Sequence, residues 1–372
     1  SDSPSHTSST ITMTAKSTNF LKMPRMMYNH GKAIYSVATL DIPDIDDTFI
    51  LASDDTSVGI WSLRFGHPLL DISTEHNARI SILTTYVDAS IKPLVITGSW
   101  DETIRLWPLI VSCKNDVTNT TKKYSVATNE CTVLTGHTNR ILTLKTTSNN
   151  RGRSAEGPVL VSGSADGTLR VWSLQTQTYM YSLDHCSIVT WILCLDIYYS
   201  DEIGCNVIIS GGKDNSLRFW ALEEPSDDTV KPFRTINNCP SRIVHMAITD
   251  VQDGIDPLVC VICKNYLIIR VFNVVTGQLF RRLSGHHNAI TSIVTCHSPR
   301  LKAHILVSVS STGNLRVWDP VTGELLRTFR GHSGVAHTAC LFRPPSTPDD
   351  LIIISGRNCV MIGMCMISVV VE

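Results

Sequence analysis

The chain has no uninterrupted run of about 18 apolar residues, so the sequence predicts no transmembrane helix. It also has almost no net charge, because 32 lysines and arginines face 33 aspartates and glutamates, which gives −1. This balance argues against nucleic acid or an anionic membrane as a general partner, although it leaves local charged patches open. A GxxxxGK[ST] phosphate loop and a GxSxG nucleophile elbow are both missing, and nothing indicates a cofactor or a small-molecule substrate.

The amino terminus and the cysteines bear on the compartment. Residues 1–18 are polar and lack the apolar core of a secretory signal, so we expect a flexible segment there and a single domain over residues 19–372. Six of the 12 cysteines lie in apolar strand patterns: Cys194, Cys260, Cys263, Cys340, Cys359 and Cys365. We interpret them as buried thiols and predict a cytoplasmic or nuclear protein.

The spacing Cys260-Val-Ile-Cys263 is that of a CxxC metal motif. Residues three apart in a strand point to opposite faces, and neither a second CxxC nor a nearby histidine pair completes a zinc site. We therefore predict no metal site.

The chain is rich in one repeated segment. Leu160–Trp172 reads LVSGSADGTLRVW, and close copies span Val95–Trp107, Ile208–Trp220 and Leu306–Trp318. Apolar residues alternate on both sides of a cluster of Gly, Asp and Asn, a pattern that predicts two strands joined by a tight turn. Because such a unit cannot bury its own apolar face, it must stack on copies of itself.

Seven units can be counted from the residue that closes each copy. The closing residues are Trp61, Trp107, Trp172, Trp220, Phe272, Trp318 and Cys365. A Gly-His pair or a single histidine precedes most units: His30, His76, Gly136-His137, His185, Gly285-His286 and Gly331-His332. Short apolar segments flank these landmarks, so each unit is predicted to contain four strands.

The Gly-His start, the Ser-Gly-Ser-x-Asp-Gly turn and the pair Trp318-Asp319 resemble the WD40 repeat family over roughly residues 19–367. The resemblance implies an all-β fold, a seven-bladed β-propeller with four-stranded antiparallel blades. It also implies that one terminus closes the ring, and we expect residues 19–27 to supply the outer strand of the last blade.

The resemblance further implies a buried hydrogen-bonded set of His, Ser or Thr, Asp and Trp in each blade. Complete sets are His76, Thr97, Asp101 and Trp107; His137, Ser162, Asp166 and Trp172; and His185, Ser210, Asp214 and Trp220. Incomplete sets are His30, Asp55 and Trp61, and His286, Ser308 and Trp318 with Thr312 in place of Asp. Such trios also suggest a hydrolase triad, but their recurrence favours a structural network and predicts no enzyme.

Loops between units and the turns between second and third strands share one face of a propeller, which we call the top face. Three residues after each Gly-His position lie Ala33, Arg79, Arg140, Ile188, Arg242, Ala289 and Val335. Before each turn Asp position lie Asp54, Trp100, Ala165, Lys213, Asn265, Ser311 and Asn358. Arg79, Trp100, Arg140, Lys213 and Arg242 are our predicted partner site, suited to an acidic or phosphorylated peptide. The alternative is that these arginines pair with local Asp residues and that Trp100 packs on a neighbouring loop.

These patterns predict a non-enzymatic scaffold that binds other proteins or peptides, in a multiprotein complex and away from membranes. Two alternatives stay open. One is a substrate receptor of a ubiquitin ligase complex, although the sequence contains no F-box or other adaptor-binding module. The other is an RNA- or chromatin-associated propeller subunit, against which the near-neutral charge argues. The polar connection from Pro108 to Glu130 is expected to be mobile.

Overall fold

We analysed a computed structural model of the chain. It describes residues 34–43, 45, 47–63, 68–88, 91–115, 122–128, 131–147, 157–185, 190–222, 231–237, 239–249, 256–298, 303–330, 336–342, 351–357 and 362–367. Within these residues all regular structure is β-strand, so the predicted all-β class is confirmed. No helix suited to crossing a membrane is found in this part of the chain.

The described strands form antiparallel sheets, which we number as blades in chain order. Blade 1 contains β1 (Ser36–Asp41), β2 (Thr48–Ser53), β3 (Ser57–Ser62) and β4 (Pro68–Ser73). Blade 2 contains β5 (Ile80–Asp88), β6 (Ile91–Ser99), β7 (Ile104–Asn115), β8 (Lys122–Thr128) and β9 (Thr132–Leu134). Blade 3 contains β10 (Ile141–Thr147), β11 (Val159–Ser164), β12 (Thr168–Ser173) and β13 (Thr178–Asp184).

The remaining blades repeat this order. Blade 4 contains β14 (Ile192–Ser200), β15 (Cys205–Gly212), β16 (Leu217–Ala221) and β17 (Arg234–Ile236). Blade 5 contains β18 (Ile243–Thr249), β19 (Leu258–Cys263), β20 (Ile268–Asn273) and β21 (Leu279–Ser284). Blade 6 contains β22 (Ile290–Ser298), β23 (Ala303–Ser310), β24 (Asn314–Trp318) and β25 (Leu325–Arg330). Blade 7 contains β26 (Ala336–Phe342), β27 (Leu351–Arg357) and β28 (Ile362–Ile367).

The first strands of successive blades lie side by side and form a closed ring, since β26 of blade 7 contacts β1 of blade 1. Six blades are complete in the described residues, and blade 7 has three described strands. The proposed closing strand over residues 19–27 lies outside the described residues.

The core lies between neighbouring blades, and the sequence shows why. Second strands such as β11, β19 and β23 are buried almost throughout because they are covered on both faces. Outer strands face solvent, and the first four residues of β21 are exposed. Apolar residues of one blade therefore interleave with those of the next, as where Val161 and Leu195 share a cluster between blades 3 and 4.

The long connection after Trp107 contains paired strands, and its residues 116–121 lie outside the described residues. Strand β7 continues beyond the sheet and pairs with β8 from Leu109–Thr128 to Asn115–Lys122. Strand β9 then returns to the blade beside Ile104–Leu106. The described part of the insertion is a pair of antiparallel strands. Their backbone N–H and C=O groups bond to each other, so they do not depend on water as partner.

Candidate functional site

Two top-face positions in each of blades 2 to 6 are joined by one recurring backbone hydrogen bond. The turn residue donates its N–H to the carbonyl of the loop residue, at 2.8–3.0 Å. The donor and acceptor pairs are Trp100 and Arg79, Ala165 and Arg140, Lys213 and Trp191, Lys264 and Arg242, and Ser311 and Ala289. Because this bond repeats, it aligns the blades more reliably than sequence spacing does.

The bond corrects two positions of the sequence alignment. In blade 4 the loop position belongs to Trp191, not to Ile188, because the chain after His185 is longer than elsewhere. In blade 5 the turn position belongs to Lys264 rather than Asn265. The left-handed residue of the turn follows Lys264 directly, at Asn265 with φ 63°, whereas in blade 3 it comes two residues after Ala165, at Gly167 with φ 87°. Ala33, Ile188, Val335 and Asn358 lie outside the described residues.

Cations and aromatic rings alternate across blades 1 to 3. The guanidinium carbon of Arg79 lies 4.2 Å from the ring centroid of Tyr35 and 3.8 Å from that of Trp100. The guanidinium carbon of Arg140 lies 4.1 Å from the Trp100 centroid. These are cation–π contacts at close range. Tyr35, Arg79, Trp100 and Arg140 therefore form one ordered column, which includes three of the predicted site residues.

The same chemistry continues into blades 4 and 5. Lys213 places its ammonium nitrogen 4.9 Å from the ring centroid of Trp191. Arg242 and Lys264 occupy the two top-face positions of blade 5. These residues together carry five cations and three aromatic rings. We call them the cationic arc: Tyr35, Arg79, Trp100, Arg140, Trp191, Lys213, Arg242 and Lys264. Sequence spacing missed Tyr35, Trp191 and Lys264, of which the last two follow from loop lengths that only the structure reveals.

The charges of the arc have no acidic partner within the described part of the chain, where none of its five cations forms an ion pair. Asp101, which directly follows Trp100, lies 2.8 Å from His76 and accepts the N–H groups of Asn77 and Thr103. Asp54 of blade 1 is buried and accepts hydrogen bonds from Thr56 and Ser57 in its own turn. The Nε of Arg79 and the Nε1 of Trp100 are buried without a partner among the described residues. Of the alternative, pairing with local Asp residues is not seen among the described residues, whereas Trp100 does contact a neighbouring loop, at Arg140.

The buried polar set is connected throughout in blade 3. Trp172 Nε1 donates to Ser162 Oγ at 2.8 Å, and Ser162 Oγ lies 2.8 Å from His137 Nε2. His137 Nδ1 lies 2.7 Å from Asp166 Oδ2, which also accepts the Thr138 N–H. All four groups are satisfied when Ser162 donates to His137 and His137 donates to Asp166. Blade 2 repeats the chain, with His76 2.8 Å from Asp101 and 2.9 Å from Thr97.

The set is looser in blades 4 and 6. His185 Nδ1 lies 2.9 Å from Ser210, but its Nε2 is 3.7 Å from Asp214, which instead accepts from Arg218 Nη1 at 2.7 Å. In blade 6, Ser308 Oγ lies 2.6 Å from His286 Nε2 and accepts from Trp318 Nε1 at 2.8 Å. Of the set predicted for blade 1, His30 lies outside the described residues.

The pKa values of these groups follow their surroundings. Burial opposes ionisation of Asp101, Asp166 and Asp214, but other contacts outweigh it, so the pKa of each carboxyl is lowered. The main contacts are the hydrogen bonds from Thr103 and His137, and for Asp214 the nearby His185 ring with hydrogen bonds from Arg218 and Ser216. Burial lowers the pKa of His286 to about 4, and the charge of Arg316 adds to this. Histidines hydrogen-bonded within these sets hold loops in place, and their repetition around the ring does not single out one blade as a reaction centre.

The CxxC pair divides between two cores, as its spacing predicts. Cys260 packs in the apolar cluster toward blade 6, whereas Cys263 packs in the cluster toward blade 4 with Cys194 and Cys239. In the described residues, no three or more His, Cys, Asp or Glu side chains are grouped so as to hold a metal ion.

Comparison with known proteins finds a family model that matches three segments of the chain. The family model "WD domain, G-beta repeat" matches residues 71–108, 128–173 and 277–319. These segments run into the closing tryptophans of blades 2, 3 and 6, which are Trp107, Trp172 and Trp318.

Similar proteins come from fungi and from a nematode. The WD repeat-containing protein pop2 of Schizosaccharomyces pombe is 26% identical over 153 residues, covering 37% of this chain and 20% of that protein. The probable coatomer subunit beta' of the same organism is 26% identical over 160 residues, covering 42% of this chain and 17% of that protein. The periodic tryptophan protein 2 homolog of Caenorhabditis elegans is 32% identical over 104 residues, covering 27% and 11%. The matched region thus spans about a fifth or less of each relative's own length. Three segments of the chain thus match the WD40 repeat model, and the described blades form the ring of a β-propeller.

Proposed function

We propose that the chain is a non-enzymatic scaffold whose top face binds an acidic or phosphorylated peptide along the cationic arc. The observation that carries the proposal is the column of Tyr35, Arg79, Trp100 and Arg140, in which two arginines are held by rings and not by acids. A guanidinium held over a ring keeps its N–H groups available for a carboxylate or phosphate, which it binds in bidentate fashion. Little side-chain entropy is lost on binding, because the column is already ordered.

The covered ring favours a peptide over a single-stranded nucleic acid. Proteins bind single strands by stacking bases on aromatic faces beside a basic groove. Two guanidinium groups already lie over the indole of Trp100, at 3.8 Å and 4.1 Å. A base could stack there only by displacing one of them, whereas an anionic side chain can bind the outer edges of both.

Protein partners also fit the relatives. One of them is named as a coatomer subunit, which describes a component of an assembly. We therefore propose that this chain works within a multiprotein complex, in the cytoplasm or nucleus. A role as substrate receptor of a ubiquitin ligase would be a special case of the same top-face binding.

The test compares two charge reversals of equal size. Arg79→Glu combined with Arg140→Glu removes the column, while Arg281→Glu combined with Arg282→Glu changes the same charge on the outer strand β21. The probe is a random-sequence phosphoserine peptide pool, with the dephosphorylated pool and a single-stranded RNA pool beside it. We expect the column variant to lose at least tenfold in peptide affinity, which corresponds to about 1.4 kcal/mol. Equal retention by both variants, or preference of the wild type for RNA, would reject the proposal.

A further inference from the structure

Two histidines lie directly opposite each other in blade 6, at the end of the blade away from the top face. His297 of β22 pairs with His304 of β23 in the register of the two strands. Paired residues of antiparallel strands point to the same face of the sheet. Their ring centroids are 5.0 Å apart, and the ring planes are inclined by 65°. Both side chains are half-buried, so an ion from solvent can reach them.

The separation of the two rings suits one shared metal ion. Zn–N bonds are about 2.0–2.1 Å long, so two imidazoles bound to one tetrahedral ion have their ring centroids about 5 Å apart. The inclined rings are not stacked face to face, and rotation about the side-chain bonds brings one nitrogen of each ring to a common point. Imidazole is a good ligand for Zn²⁺, Cu²⁺ and Ni²⁺.

We propose that His297 and His304 bind one divalent transition-metal ion of the Zn²⁺ class, with water in the remaining coordination positions. The site is independent of the peptide-binding proposal, because it lies at the opposite end of the blade from the cationic arc. Sequence analysis considered only the cysteines as metal ligands. Two histidines seven residues apart have no metal-binding spacing until the strand register brings them together.

The neighbouring side chains define the side of the blade on which the ion would lie. Leu306, two residues after His304, packs in the cluster between blades 5 and 6. Cys296 packs on the other side of the sheet, in the cluster between blades 6 and 7. The adjacent thiol is therefore separated from the histidine pair by the sheet, and the two imidazoles are the protein ligands of the proposed site.

Blade 4 shows that the fold does not require histidines at these positions. Its strands β14 and β15 have the same lengths as β22 and β23. The pair at the same register position is Tyr199 and Asn206. Since that blade forms with a phenol and an amide there, replacing the histidine pair by the same two residues should leave blade 6 folded.

An ion at this place would give the bottom of the propeller a contact point of its own. Two protein ligands leave coordination positions open, as the water-bound position of a catalytic zinc site is open. A carboxylate or imidazole of a bound protein can replace water at such a position. Binding of a partner to this side would then depend on the metal ion.

The first experiment titrates the full chain with Zn²⁺ by isothermal calorimetry. His297→Tyr combined with His304→Asn reproduces the pair of blade 4, and the matched control is His287→Asn, which removes an exposed histidine of the same blade outside the pair. We expect the wild type and the control to bind one ion more than the double variant. Circular dichroism shows whether each variant is folded. Equal binding by the wild type and a folded double variant would overturn the proposal.

The second experiment locates the ion. Cu²⁺ binds imidazole sites more tightly than Zn²⁺, and with ascorbate it oxidises the histidines that hold it. Trypsin releases residues 303–316, in which His304 is the sole histidine. We expect this peptide to become one oxygen atom heavier at least tenfold faster in the wild type than in His297→Tyr, and an excess of Zn²⁺ to protect it. Oxidation of other histidines while this peptide stays unchanged would contradict the assigned site.

Discussion

Blades 3 and 5 have the same strand order but different side chains at the positions of the polar set. In blade 3, Trp172, Ser162, His137 and Asp166 form one unbroken chain of hydrogen bonds. In blade 5, Phe272 and Val261 take the places of Trp172 and Ser162, and Cys239 takes that of the histidine. Both blades keep the same strand order and a buried apolar core. Apolar packing therefore forms the blade, and the polar set fixes the loop that crosses its top.

The strongest test of this division removes the acid of blade 3. Asp166→Ala leaves the His137 ring nitrogen and the N–H of Thr138 without their acceptor. Leaving a buried donor without its acceptor costs about 1–3 kcal/mol of unfolding free energy. Urea denaturation measures it, and the exposed Asp184→Ala in the same blade should stay within about 0.5 kcal/mol. A loss below about 1 kcal/mol for Asp166→Ala would show that the network contributes little.

A reciprocal exchange of the closing residues tests the comparison directly. Trp172→Phe removes the donor to Ser162 and leaves a gap beside a buried ring. Phe272→Trp adds volume and an indole N–H that faces Val261, which has no acceptor. Each substitution should lower the free energy of unfolding by about 1–3 kcal/mol, as measured by thermal or urea unfolding. The first loses a hydrogen bond and packing, and the second overfills the core and buries an unpaired donor. If Phe272→Trp stabilised the protein, blade 5 would be an underpacked version of blade 3 and not an alternative to it.

Blade 6 lies between these two cases, since it has a histidine but Thr312 in place of the acid. We expect a smaller change in stability there. The folded pKa of His286, about 4, lies below its ordinary value of 6.5. The unfolded chain therefore binds a proton first, and stability falls as pH drops from 6.5 toward 4. Thr312→Asp should raise the His286 pKa and recover on the order of 1 kcal/mol at pH 5.

The matched control for that variant is Thr312→Asn, which has the same shape without the charge. Unfolding free energies measured between pH 4.5 and 7 should show a shallower slope for Thr312→Asp alone. Equal slopes for both variants would mean that burial, and not the missing acid, sets the behaviour of His286.

Sequence reading predicted the fold well because each blade repeats its own local pattern. Alternating apolar residues and the turn of Leu160–Trp172 specify strands, and copies of the unit specify stacking. The top face was harder to predict, because it depends on loop length. The turn of blade 5 has one fewer residue before the left-handed Asn265, and the loop of blade 4 after His185 is longer. Each difference shifted one top-face position away from the residue that the sequence alignment had assigned to it. The sequence placed Arg79, Trp100 and Arg140 on one face, but it predicted neither their stacking nor the part of Tyr35, since these contacts join three different blades.

The contact of β26 with β1 has a consequence for how the molecule folds. Every other contact along the inner ring joins blades that are neighbours in sequence, so each can form soon after its strands do. The seam between blades 7 and 1 instead brings together distant parts of the chain and must overcome the entropy of closing the whole loop. Amide hydrogens of β1 and β26 should then exchange through opening of this seam while the middle blades stay closed. The ring would then open at the seam between blades 7 and 1, and the lifetime of this closed seam would set how long the assembled top face persists.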